Sequence, residues 1–387
     1  MLNKNDFLLN NKIYYFNNGS YGACPWIIFN HYQNIQKTIE YQPVDFFQHQ
    51  LILELDKSRT SLSSFVNCNK NDIILIKNAT YAINCIIRSL DLDENDEIIT
   101  TNHEYGACLN SLQFWQEQRK FKIKMLHYDL PLPADKDILL DIEKSITSET
   151  KVIFFSHITS LTSQIFPAKK ICQLAEKHNI LSIVDGAHSI GHIPLDLQDI
   201  GADYYFSNLH KWFFAPKGTA FLYTKPTEQK KIKPLITSWG WGQHQEMRSG
   251  NQYIDSNQFY GTDDLSSFIC VPKCIKFFQE NNIDEVSTRC NKLVKYFLSS
   301  VKEITGFPSL YNVHSNYLKM GVVELPNTYN IDDLKKILYD KFSIEVPVVQ
   351  WNEKQLIRIS VWVYNTKSQI DYFLEVLKKL YFSNIIK

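Results

Sequence analysis

The chain has 387 residues, 44% of them hydrophobic and 21% charged, which gives room for two or three domains with substantial cores. Lys plus Arg equals Asp plus Glu at 41 each, so there is no basic excess of the kind a nucleic-acid or acidic-membrane partner requires. No run reaches the ~18 apolar residues of a membrane helix. The opening MLNKNDFLLNNK lacks the apolar core of a signal peptide. The eight cysteines are scattered with no C-x-x-C pair, which predicts reduced thiols in a cytoplasmic protein.

From about residue 72 to 224, short apolar runs alternate with helical stretches. Strands are expected at Ile73–Ile76, Glu97–Thr100, Phe121–His127, Lys151–His157, Leu181–Asp185, Asp203–Ser207 and Thr219–Tyr223. Helices are expected at Ala82–Leu90, Gly106–Arg119 and Ala168–His178. Continuous apolar strands such as VIFF suit a sheet buried on both faces. The alternation predicts an α/β domain with a mostly parallel, doubly wound sheet. Residues 225–265 carry no strong periodicity and read as a loop at a domain junction. Farther on, a helix over Ile331–Phe342, strands at Ile344–Val349 and Leu356–Val361, and an amphipathic helix over Lys367–Phe382 predict a smaller α+β domain. The expected division is an N-terminal segment 1–50 contributing to the substrate site and the small domain, a large domain 51–284 and a small domain 285–387.

The segment IVDGAHSIGHIPLDLQDIGADYYFSNLHKWFFAPKGTAFLY, residues 183–223, concentrates the chemistry. Asp185 ends a buried strand, where open α/β sheets bind ligands. A carboxylate there suits a protonated pyridine nitrogen. Lys211 follows a second strand end, and a lysine amine near a cationic ring and a phosphate can form an imine with an aldehyde. Asn78-Ala79-Thr80 opens a helix after strand IILI, where free N–H groups favour a phosphate. Simple N-capping by Asn78 or Thr80 explains the same residues. His188-x-x-x-His192 has helical metal spacing but lacks the glutamate of a zincin, and no metal is expected.

With these pieces in order, the sequence resembles the class V aminotransferase group of fold-type-I pyridoxal-phosphate (PLP) enzymes, and within it the isopenicillin N epimerase-like branch, related to the cysteine desulfurases. The resemblance runs from YFNNGSYGACP (15–25) through NATYAIN, HEYGA, VDGAHSIG and SNLHKW to SWGWG, YGT, VPVVQW and RISVWVYN (358–365). It implies Lys211 as the Schiff-base lysine and Asp185 as partner of the pyridine nitrogen. It implies Ala79, Thr80, Ser207 and His210 around the phosphate, and His188 with Ser160 near the phenolic oxygen. Tyr105 would stack on the ring, Arg358 would grip the substrate carboxylate, and Asn18 and Ser20 would lie near the substrate. Thr262 would reach the phosphate of a neighbouring subunit, which implies a homodimer with shared active sites. Asp263 follows Thr262 directly, where relatives often interpose an arginine.

The implied reaction removes the Cα proton of an amino-acid substrate. Epimerisation leads, with C–S β-elimination close behind and transamination as a further alternative. No cysteine lies between Lys319 and Arg358, which disfavours persulfide-forming desulfuration. A PLP-fold binding protein without catalysis is a fourth reading, opposed by the joint presence of Lys211, Asp185 and Arg358.

Overall fold

The computed structural model describes residues 2–246, 248–312, 317–326 and 330–382. Among the described residues, twelve strands follow in chain order. They are β1 (Tyr14–Tyr15), β2 (Ile73–Ile76), β3 (Glu97–Thr101), β4 (Lys122–Leu126), β5 (Thr150–Ser156), β6 (Leu181–Asp185), β7 (Tyr204–Asn208), β8 (Ala220–Thr224), β9 (Met320–Leu325), β10 (Ile344–Glu345), β11 (Val348–Trp351) and β12 (Lys354–Ser360).

Seven of them form the central sheet in the order β2-β8-β7-β6-β5-β3-β4. All neighbours run parallel except β8, which is antiparallel to both β2 and β7. Every residue of β2, β3, β7 and β8 is buried, because one apolar layer covers each face. One layer includes Leu75, Ile99 and Val184; the other includes Ile74, Ile98 and Ile183. Adjacent strand residues point to opposite faces, so an uninterrupted apolar run feeds both layers at once. Crossover helices at Gly106–Arg119 and Ala168–Lys177 make the sheet the expected α/β architecture.

A second sheet, in the order β11-β12-β9, is antiparallel throughout. Its strand β9 packs on helix Ile283–Thr305, which in turn packs on Lys367–Phe382; they bury Val294 and Phe297 on the first and Phe373 and Leu377 on the second. The expected division at 284/285 falls inside the first turn of Ile283–Thr305. The N-terminal segment joins this part of the molecule: β1 pairs in parallel with β10, and Ser360 donates its N–H to the Phe16 carbonyl. The stretch read as a loop, 225–265, contains a buried helix, Gln252–Gln258, capped by Asn251 through the N–H groups of Tyr253 and Ile254. At seven residues it is too short for an apolar period to show. Among the described residues no helix is long and apolar enough to cross a membrane.

Candidate active site

Because the parallel strands share one direction, their carboxyl ends share one edge of the sheet, the edge where doubly wound folds bind ligands. A cavity of about 390 Å³ opens there. Its floor is made by residues at strand ends: Ser156 of β5, Asp185 of β6 and Asn208 of β7.

Asp185 is 3% exposed. One carboxylate oxygen accepts the Ala187 N–H at 2.8 Å, and the other faces the Cys108 Sγ at 3.4 Å. Burial pushes its pKa up, opposed by the Ala187 N–H and by the charge of Lys211. Lys211 sits one short helix beyond β7, in Leu209–Trp212. Its Nζ lies 3.0 Å from His188 Nε2. Burial lowers the ammonium to about 8, with Asp185 pulling the other way and Arg358 adding to the fall. The amine is therefore mainly a free base above about pH 8, well below the range of an exposed lysine.

The helix Ala79–Ser89 begins at the cavity wall. Asn78 caps it by accepting the Tyr81 N–H at 2.9 Å, and Ala79 donates its N–H to Asn208 Oδ1 at 2.9 Å. Thr80 lines the cavity at the positive end of the helix. Lys77, His210 and Lys217 also line the cavity. Lys77 pairs with Asp263, and Lys217 donates to the Gly22 carbonyl at 2.5 Å. The His210 Nδ1 bonds the Thr219 carbonyl at 3.0 Å, so only Nε2 remains for a ligand. Tyr105 precedes helix Gly106–Arg119 and stands 44% exposed on the cavity wall.

Arg358 projects from β12 and is 4% exposed. Its Nη1 donates to the Ser160 carbonyl at 2.7 Å, and its Nη2 to Ser20 Oγ at 2.8 Å and Asn17 Oδ1 at 3.3 Å. Ser20 and Ser160 both line the cavity, so the guanidinium stands directly behind its rim. Burial lowers its pKa to about 10, and it keeps its charge at neutral pH.

Two of the expected positions, Ser207 and Asn18, lie elsewhere. Ser207 is fully buried on the far face of β7, where its hydroxyl donates to the Gly186 carbonyl and accepts the Ile190 N–H. Strand alternation is the reason: the last residue of β7 is Asn208, one beyond the expected end, and that residue faces the cavity. Asn18 is buried with both ends of its amide committed, Nδ2 to the Lys211 carbonyl at 3.1 Å and Oδ1 to the Tyr364 hydroxyl at 2.7 Å. It braces the Lys211 turn. Thr262, expected at the phosphate of a neighbouring subunit and not of its own, lines a separate surface hollow with Gln36, Glu40 and Phe47. Ser160 is at the rim, with its carbonyl on Arg358. Sequence reasoning missed Asn208, Ser156, Tyr21, Lys77 and Lys217. A strand drawn one residue longer finds Asn208; Lys77 and Lys217 carry no local signal beyond their nearness to NAT and HKW.

Comparison with known proteins agrees with this architecture. The family model for aminotransferase class-V matches residues 30–373. The chain is similar to hercynylcysteine sulfoxide lyase of Schizosaccharomyces pombe, at 24% identity with 97% of this chain and 96% of the relative covered. It is similar to isopenicillin N epimerase of Streptomyces clavuligerus, at 27% identity with 96% of each covered. Among solved structures, a lysine-to-alanine mutant of C-DES with glycine covalently linked to its PLP cofactor superposes with a TM-score of 0.86, at 18% identity, covering 98% of this chain and 99% of that one. That likeness speaks for the fold. The family match spans the seven-stranded and three-stranded sheets and every strand that borders the cavity, and the chain belongs to the class V aminotransferase family of PLP-dependent enzymes.

Proposed function

We propose that the cavity holds PLP and that the enzyme removes the Cα proton of an amino-acid substrate to break a C–S bond at Cβ. The observation that carries this reading is the convergence of a buried amine with a lowered pKa (Lys211), a buried carboxylate (Asp185) and a helix N-terminus on one cavity, with Arg358 behind its rim. The donor set fits the cofactor: Thr80, Lys77, Lys217 and His210 suit its phosphate, Asp185 its ring nitrogen, and Lys211 its aldehyde.

When bound, PLP supplies an aldehyde that condenses with amines and a protonated ring that accepts the electron pair left at Cα. Asp185 holds the ring proton. Arg358 orients the substrate carboxylate, which binds more strongly than the neutral oxygens of Ser20 and Ser160 that occupy the guanidinium now. Lys211 takes the Cα proton and delivers it to a leaving sulfur.

Elimination needs one base, and the cavity favours it. Lys77 is ion-paired and Lys217 is bonded to a backbone carbonyl. Among the described residues no cysteine lines the cavity, which speaks against a protein persulfide. Epimerisation is the second reading, because the Tyr105 phenol on the cavity wall is a group that could reprotonate Cα from another direction. A homodimer remains part of the proposal, with Thr262 of each copy completing the phosphate site of the other. The exposed Tyr21, Trp26 and Ile27 give a contact surface.

The test incubates the full chain and PLP with S-substituted cysteines, cysteine sulfoxides and ordinary amino acids in D₂O. Pyruvate with a released sulfur compound is expected. A deuterated D-epimer without pyruvate replaces this reading with the second one. Absence of any visible cofactor band, or a Lys211→Ala variant with undiminished turnover, overturns both.

A further inference from the structure

His188 lies between Lys211 and a tryptophan that no part of the scheme above uses. Trp212 is fully buried, and its indole Nε1 sits 3.3 Å from His188 Nδ1. An indole nitrogen can only donate, so Nδ1 is the acceptor. A neutral imidazole carries one N–H, and here it must be on Nε2, 3.0 Å from Lys211 Nζ. His188 is neutral: burial drives its pKa well below the ordinary value, and the charges facing it, Lys211, Arg358, His192 and His210, all push the same way.

We propose that Trp212 is a positioning residue, whose indole N–H fixes His188 in the tautomer that presents an Nε2–H to Lys211 and the cofactor site. The donor needs a lone pair opposite it, and the Lys211 amine supplies one only as a free base. Trp212 thus acts through His188 on the protonation state of Lys211. The surroundings hold the indole still. Gly191, at φ +74°, brings its Cα so close that a Cβ there would stand 2.5 Å from the Trp212 carbonyl oxygen. The ring packs edge-on against Trp362 at 5.6 Å and tilted against His192 at 4.4 Å. The part of this inference that concerns the cofactor rests on the PLP reading; the tautomer does not.

Two measurements on the full chain test it. Nitrogen-15 NMR of histidine-labelled protein without added cofactor should show His188 with a bare Nδ1 and a protonated Nε2 in the wild type, and lose that pattern in Trp212→Phe. The pH dependence of PLP uptake, followed by growth of the visible band, should move its midpoint up by about one unit in Trp212→Phe, making uptake near neutral pH about tenfold slower. In a His188→Gln background, where a side-chain amide donates without a tautomer, Trp212→Phe should move nothing further. A protonated Nδ1 in the wild type overturns the inference, as does an equal shift in both backgrounds. A wild type that takes up no PLP sinks the cofactor reading, and the NMR result still decides the tautomer.

Discussion

Lys319 is a buried amine whose burial is costly, and its removal tests the packing behind the active site. The side chain is 1% exposed. Its Nζ donates to the Gly191 carbonyl at 2.6 Å and lies 4.2 Å above the Trp362 ring, and among the described residues it has no carboxylate within ion-pair reach. Burial lowers its pKa from 10.5 to about 7, with Cys290 and Asp284 opposing weakly. At about 1.4 kcal/mol per pH unit, forcing this amine into the core at pH 7 costs about 5 kcal/mol. The folded value lies below the unfolded one, so the unfolded chain binds more protons between pH 7 and 10.5. Stability from this group therefore rises with pH across that window and is lowest at and below pH 7. Lys319→Met nearly conserves volume but strands the Gly191 carbonyl, at a cost of about 1–3 kcal/mol. The variant should be about 2–4 kcal/mol more stable than the wild type at pH 7, by combining these figures. Its advantage should shrink by about 3 kcal/mol by pH 9. Urea midpoints of both proteins at several pH values measure the gap. A gap that stays constant from pH 7 to 9 refutes the argument, whatever its size.

Three further substitutions probe the site. Arg358→Lys replaces a fork held by Ser20, Asn17 and Ser160 with a point charge; KM for the amino acid should rise roughly 10- to 100-fold with a smaller change in kcat. Asp185→Asn keeps the shape and the Ala187 N–H contact but loses the charge; kcat should fall on the order of 100-fold or more while Lys211 still condenses with PLP, as the visible band reports. Gly22→Ala puts a Cβ 1.8 Å from the Lys211 carbonyl oxygen, whereas at Gly106 a Cβ meets nothing within 4 Å. Gly22→Ala should therefore lower the thermal midpoint and weaken PLP retention, and Gly106→Ala should leave both unchanged; equal behaviour of the pair contradicts the clash.

Period and strand chemistry made the central sheet legible before any coordinates. Runs such as IILI and IVD are too short and too apolar for a surface helix, and their regular alternation with helices leaves a parallel sheet as the economical arrangement. The positions of Asp185 and Lys211 follow from the same reading, since each is tied to a strand end that the local sequence marks. Arg358, 147 residues after Lys211 by the numbering, was accessible only through family resemblance, because nothing in LIRISV says which strand it will face.

Residue order along the chain is what the sequence determined by itself: which segments extend, which coil, and which chemical groups stand at their ends. Facing was decided by the tertiary structure. A one-residue difference at the end of β7 exchanged Ser207 for Asn208, because strand neighbours point to opposite sides. Asn18 turned from a substrate contact into a brace for Lys211, and Trp212 came to rest on His188, because β12 and the N-terminal segment close over the sheet edge. Such contacts join residues far apart in the chain, and their geometry is fixed by the packing of whole layers, which no local pattern of residues encodes.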